Sequence, residues 1–195
     1  MQEQKNTEQL YENAYILTKR GDVEASFGAY LELAELGYSD CQAFVGGLYY
    51  AGRGVEKDLS KARYWAGEAA ACNLDTGLFM LGKISAAEGN YNEAYGWFEQ
   101  AGVQDYAPAI FKMALYNANG CLGTQDVKKA LDLYRQSTDL GHVLARRNLA
   151  YGLLRGWGGV SGFFVGCAEL YWCFRDIYKL YRQGDEDEID ERMRL

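Results

Sequence analysis

The side chains able to do chemistry in this sequence are few, and the first group surrounds a glycine loop. "LYYAGRGVEKDLSKARYWAGEAA", Leu48 to Ala70, sets Gly52-Arg53-Gly54 between two apolar-patterned stretches. A loop of this type cradles phosphate when it follows a strand and extends to G-x-x-x-x-G-K-[ST] or G-x-G-x-x-G, so that backbone N–H groups converge on the anion. Neither wider pattern is present, and the loop follows a helical pattern. These glycines are therefore read as a turn between two helices. Asp58 is placed to cap the second helix by accepting hydrogen bonds from the unpaired N–H groups at its start.

The remaining candidates are scattered. The sole histidine, His142, has no cysteines or acids nearby at ligand spacing, which argues against a zinc site. A histidine-based triad could form only around this one residue. The five cysteines, Cys41, Cys72, Cys121, Cys167 and Cys173, form no CxxC pair, and an odd number leaves at least one thiol free. They are read as reduced, mostly buried thiols packing as small hydrophobes. Cys41 and Cys72 are the exception, near the open end of one helical hairpin where they could meet. Acidic pairs along the chain read as solvated helix faces. No catalytic constellation emerges, and neither a metal nor a cofactor is expected.

The elements that hold these residues follow from composition and periodicity. The 195 residues are 49% apolar and 24% charged, ordinary values for a globular chain rather than a disordered one. Sixteen tyrosines, 23 glycines and a single proline, Pro108, suit many helices joined by glycine turns. A formal charge of −7 and a pI near 4.8 disfavour nucleic acid and anionic membrane surfaces as partners. The start, "MQEQKNTEQLYENAYILTKR", lacks a basic region followed by an apolar run. That predicts a cytoplasmic protein, or a periplasmic one if a leader has been removed.

The chain also repeats itself. Val45-Gly46 recurs as Leu81-Gly82 after 36 residues, as Met113-Ala114 after 68 and as Leu149-Ala150 after 104. Lys61-Ala62 with Trp65 and Ala69 recurs as Glu93-Ala94 with Trp97 and Ala101, then as Lys129-Ala130 with Leu133 and Ser137. Cys41, Val45, Leu48 and Tyr49 lie at i, i+4, i+7 and i+8, as do apolar residues of the segment after the loop, so each unit is a helix-turn-helix. Gly46, Gly82, Ala114 and Ala150 fall where paired helices cross, because a short side chain lets backbones approach.

"DCQAFVGGLYYAGRGVEKDLSKARYWAGEAA" resembles the Sel-one-like repeat branch of the tetratricopeptide superfamily. The likeness is carried by Val45, Gly46, Tyr49, Gly52, Gly54, Val55, Asp58, Lys61, Ala62, Trp65, Ala69 and Ala70. It covers residues 7 to 160 well and the remainder poorly. It implies an all-α fold, a right-handed α-solenoid of about five stacked helix-turn-helix repeats with an atypical C-terminal capping helix. The expected units are about 7–37, 38–73, 74–105, 106–141 and 142–184 of a single repeat domain, followed by an acidic tail at 185–195. His142 then stands where the pattern has a polar turn residue opening a helix.

The first helix of each unit lines the inner surface of such a solenoid. Carrying the superfamily's groove positions onto this sequence implies a partner-binding concave face of Tyr11, Tyr15, Asp40, Tyr50, Phe79, Lys83, Phe111, Asn119, Arg147, Tyr151 and Arg155. Aromatic residues flanked by a few charges suit a protein or peptide partner. If Tyr50 points outward there, removing its ring leaves stability nearly unchanged. Arg146, Arg147 and Arg155 form a local positive cluster that could pair with an acidic partner or with the acidic tail.

The resemblance implies a non-catalytic adaptor or scaffold. The alternatives are a membrane-peripheral or cell-envelope assembly module and an immunity-like protein that neutralises a toxin. Trp157–Phe174, apolar except for Glu169, approaches membrane-spanning length. Its glycine-rich start, "RGWGGVSG", reads as a long turn and a poor helix. The stretch after it continues as an amphipathic helix to about Gln183, so a capping helix on the last repeat is expected in preference to a membrane contact.

Overall fold

The computed structural model describes residues 2–183, and the acidic tail at 185–195 lies outside them. Among the described residues the regular structure is entirely helical. The ten helices are α1 Gln2–Arg20, α2 Val23–Glu35, α3 Ser39–Ala51, α4 Leu59–Ala71, α5 Asp75–Ala87, α6 Tyr91–Gly102, α7 Ala107–Asn119, α8 Val127–Asp139, α9 Val143–Leu154 and α10 Gly159–Gln183. The chain divides into two compact units, the first ending at Ala101 and the second beginning at Gly102.

In the first unit α1 packs on α2, α2 on α3, α3 on α4 and α4 on α5, α3 also meets α5, and α6 reaches α5 through Phe98. Its core gathers Ala14, Leu33, Ala34, Val45, Tyr49, Ala62, Ala66, Leu81 and Ile84. Small residues set the helix spacing. A Cβ on Gly46 would stand 3.2 Å from the Ala62 carbonyl oxygen, and one on Gly82 would enter the fully buried ring of Phe98 at 2.4 Å. Any larger side chain would separate the paired helices and open a void in a close-packed interior.

The Gly52-Arg53-Gly54 loop is a turn. Gly52 ends α3 in the left-handed conformation, φ 69°, donating its N–H to the Leu48 carbonyl. Gly54, at φ 71°, lies so close to Val23 that a Cβ would fall 2.3 Å from its carbonyl oxygen. Only glycine satisfies both demands. Asp58 Oδ1 accepts from the N–H groups of Ser60 at 2.9 Å and Lys61 at 3.0 Å, opening α4. Asp22 and Asp126 cap α2 and α8 in the same way.

In the second unit α7 packs on α8, α8 on α9, and α9 on α10 around Phe111, Ala130, Leu131, Tyr134, Leu144 and Leu149. The turn before α10 is shorter than the glycine pattern predicts. Helix begins at Gly159, so Ser161 and Gly162 are helical rather than part of a loop. Tertiary packing overrides propensity here. A Cβ on Gly166 would stand 3.0 Å from Leu153 Cβ and 3.1 Å from the Ala150 carbonyl oxygen, and one on Gly162 would be 3.3 Å from Leu153. Among the described residues no helix is long and apolar enough to cross a membrane.

All five cysteines are free thiols, but only Cys41 and Cys173 are buried, which corrects the expectation of mostly buried thiols. Cys72 is exposed at the end of α4 while Cys41 lies under Tyr11, and the two do not pair.

Candidate binding site

The first unit holds an aromatic cavity of about 490 Å³ lined by Tyr11, Glu12, Tyr15, Tyr30, Asp40, Cys41 and Phe44. Helical spacing builds it: Tyr11 and Tyr15 are one turn apart on α1, and Asp40 and Phe44 one turn apart on α3. From α2, Tyr30 places its ring 4.4 Å from that of Phe44. Tyr11 is half-buried, steadied by an edge contact with Tyr38 at 5.5 Å, whereas Tyr15 is 57% exposed at the rim.

Tyr11 and Cys41 lie side by side in the cavity wall and are coupled by a side-chain hydrogen bond. Burial, that hydrogen bond and the nearby Asp40 charge all push the phenol's pKa well above its ordinary value. Burial likewise raises the Cys41 thiol, against the opposing pull of the Tyr11 hydrogen bond. Both groups stay neutral at pH 7, so the cavity offers no activated nucleophile. It offers aromatic faces and two carboxyl groups, Glu12 and Asp40, both exposed.

His142 shows the opposite arrangement, a polar group used for structure. It caps α9, its Nδ1 accepting from the Ala145 N–H at 3.2 Å, and its ring stacks on Phe111 at 4.6 Å. Burial, with a smaller contribution from the Lys112 charge, lowers its pKa to about 4. The imidazole is therefore neutral at physiological pH. Among the described residues, no group of three His, Cys, Asp or Glu side chains could hold a metal ion.

The residues expected on the concave face fare differently. Tyr11, Tyr15 and Asp40 come together in the cavity. Tyr50 is half-buried against the core, with the ammonium groups of Lys57 at 5.7 Å and Lys83 at 5.1 Å over its ring. Removing that ring would therefore disturb packing, contrary to the expectation of an outward group. Phe79 and Phe111 are corrections: they are 7% and 1% exposed, packed against Phe98 and Tyr134 respectively, and a partner cannot reach them.

Asn119, Arg147, Tyr151 and Arg155 are exposed in the second unit, the last three spaced one turn apart along and just beyond α9. Arg146 is a further correction, because it turns to α10, where it pairs with Asp176 and, at 3.6 Å, with Glu169. Those acids lie one above the other on the inward face of α10, so this arginine is already neutralised. Sequence reasoning missed Glu12, Tyr30 and Phe44 as cavity residues. Phe44 was discoverable from its one-turn spacing to Asp40, but Tyr30, on the second helix of its pair, carries no local sign of lining a cavity.

Consecutive helix pairs with small residues at each crossing define a helical-repeat protein of the tetratricopeptide-like class. The chain belongs to the Sel1 repeat family, whose model matches residues 39–74, 77–105 and 107–142. A Sel1 repeat protein from Oxalobacter formigenes is similar at 22% identity and TM-score 0.68, over 89% of this chain and 76% of that one. A protective antigen of uropathogenic Escherichia coli, c5321, displays an SLR fold and superposes with TM-score 0.70 at 22% identity over 86% of this chain. This chain spans only 39% of that antigen's length. MamA aligns at 15% identity with TM-score 0.61, over 85% of this chain and 96% of its own. None of the curated proteins matches the sequence. Repeats of this fold generally serve as protein–protein interaction scaffolds and are typically non-catalytic.

Proposed function

We propose that this chain is a non-catalytic adaptor that takes a protein or peptide partner into the cavity formed by α1, α2 and α3. The observation that carries the reading is the cavity's composition: four aromatic rings beside the carboxyl groups of Glu12 and Asp40. Such a site suits a lysine or arginine side chain. Its methylene stem lies along Tyr15, Tyr30 and Phe44, and its cation is attracted by both the ring faces and the two acids. A partner segment presenting one basic residue among apolar ones is the expected ligand.

Selection from a random peptide library on the immobilised chain tests this directly. Enrichment of peptides with a lysine or arginine is expected, and Tyr15→Ala and Asp40→Lys should each weaken the selected peptides at least about tenfold. Both substituted positions are exposed, so thermal unfolding should stay unchanged. Enrichment of acidic peptides, or full affinity retained in both variants, would overturn the assignment.

A further inference from the structure

Helix α10 presents an uncovered apolar seam. Val160, Phe164, Cys167, Tyr171, Phe174 and Tyr178 follow one another at spacings of four, three, four, three and four residues. That alternation keeps all six on one face of a helix over roughly 27 Å and is the spacing by which one helix seats along another. The face is open to solvent. Val160 is 82% exposed, Phe164 70%, Tyr171 66%, Phe174 63% and Tyr178 61%, and Cys167 is exposed as well. Phe163, 48% exposed, widens the seam on one side.

Three charged residues of the helix are engaged elsewhere. Glu169 and Asp176 face inward to Arg146, and Arg175 lies over the Trp172 ring at 3.9 Å while bonding Asp176. The inward face is made of small residues, Gly162, Gly166 and Cys173, which let α10 settle on α9 and turn its large rings outward.

We infer that the α10 seam is a homodimer interface, in which α10 packs antiparallel on α10 of a second copy. Three features favour a second copy. The exposed apolar area of the seam is on the order of 800 Å², which is what a stable interface takes from each partner. The seam carries no charge, so two acidic chains meet there without like-charge repulsion across the contact. Side-chain sizes also complement one another across a two-fold axis set between Cys167 and Tyr171. Val160 then faces Tyr178 of the second copy, Phe164 faces Phe174, and Cys167 faces Tyr171, so each small residue meets a large one. A parallel pair would stack tyrosine on tyrosine and cysteine on cysteine, giving uneven layers.

Sedimentation velocity and light scattering on the full chain under reducing conditions provide the test. The mass should rise with concentration from 21.9 kDa toward twice that value. Phe164→Glu and Phe174→Glu should each hold it at 21.9 kDa with unchanged helical circular dichroism and, at concentrations where the parent is monomeric, an unchanged melting temperature. In a background carrying Cys72→Ser and Cys121→Ser, mild oxidation should link Tyr171→Cys to Cys167 of the second copy, and should link the parent chain through Cys167 scarcely at all. A monomer at every concentration up to the solubility limit overturns the inference. So does a dimer indifferent to both glutamate variants, or efficient Cys167 linkage in the parent. Flotation of a monomer with phosphatidylcholine vesicles, lost in the glutamate variants, would reassign the seam to a lipid surface and equally overturn it.

Discussion

The first and last helix pairs both lie outside the matched repeats and both carry several aromatic residues, yet they present them differently, half-buried except for Tyr15 on the first and largely exposed on the last. Around α1 the rings close on a concavity with Glu12 and Asp40 at its edge. Along α10 they form an uncharged seam while the acids of that helix are bound inward by Arg146. Tyrosine and phenylalanine supply the aromatic faces in both places. On the functions proposed above, the location of the carboxyl groups sets what each area is suited to receive: a basic side chain in one case, an apolar helix in the other.

The contrast can be broken most strongly through pH. His142 is neutral in the folded second unit, with a pKa lowered to about 4, against an unfolded value near 6.5. The unfolded chain binds this proton first as pH falls, so the stability contribution is complete above pH 6.5 and is lost progressively toward pH 4. The loss is on the order of 3 kcal/mol. Hydrogen exchange should show α7 to α9 losing protection over that range while α3 to α5 keep theirs, and His142→Asn, which retains a capping side chain, should flatten the dependence.

Next in size is Gly166→Leu, which cannot fit against Leu153 and should cost about 2 kcal/mol in urea unfolding. It should also weaken self-association, because it displaces the helix that carries the seam. Arg146→Ala leaves Glu169 without its arginine and Asp176 with Arg175 alone, at 28% and 29% side-chain exposure of the two acids. About 1 kcal/mol is expected after allowance for solvent screening, with a smaller loss at high salt. Smallest are Tyr15→Ala and Phe164→Glu, each within about 0.5 kcal/mol of the parent in the monomer. These two separate the regions cleanly, since the first should affect only peptide capture and the second only mass.

Short-range signals made much of the fold legible. The αL turn at Gly52, the cap at Asp58 and the crossings at Gly46 and Gly82 depend on neighbours within a hairpin, and residue type with spacing determines them. The site was legible only where exposure happened to follow the repeat pattern, as at Tyr15 and Asp40. Phe79 and Phe111 turned inward because a helix rotates its side chains by about 100° per residue, so a groove position carried over one residue out of register lands in the core. Arg146 pairs with residues 23 and 30 positions away, which no local pattern announces. The start of α10 was obscured because its glycines weaken an isolated helix and yet are what allow this one to pack.

The burial of Cys41 beside Tyr11 has a consequence for thiol chemistry. Cys72 stands open to any alkylating reagent, whereas Cys41 is buried in the cavity wall at 2% exposure. Modification of Cys41 is thus a clock set in the cavity wall, expected to count the moments when its cover opens. A ligand that wedges between the rings would slow that clock, and its presence would be recorded without any label on the ligand itself.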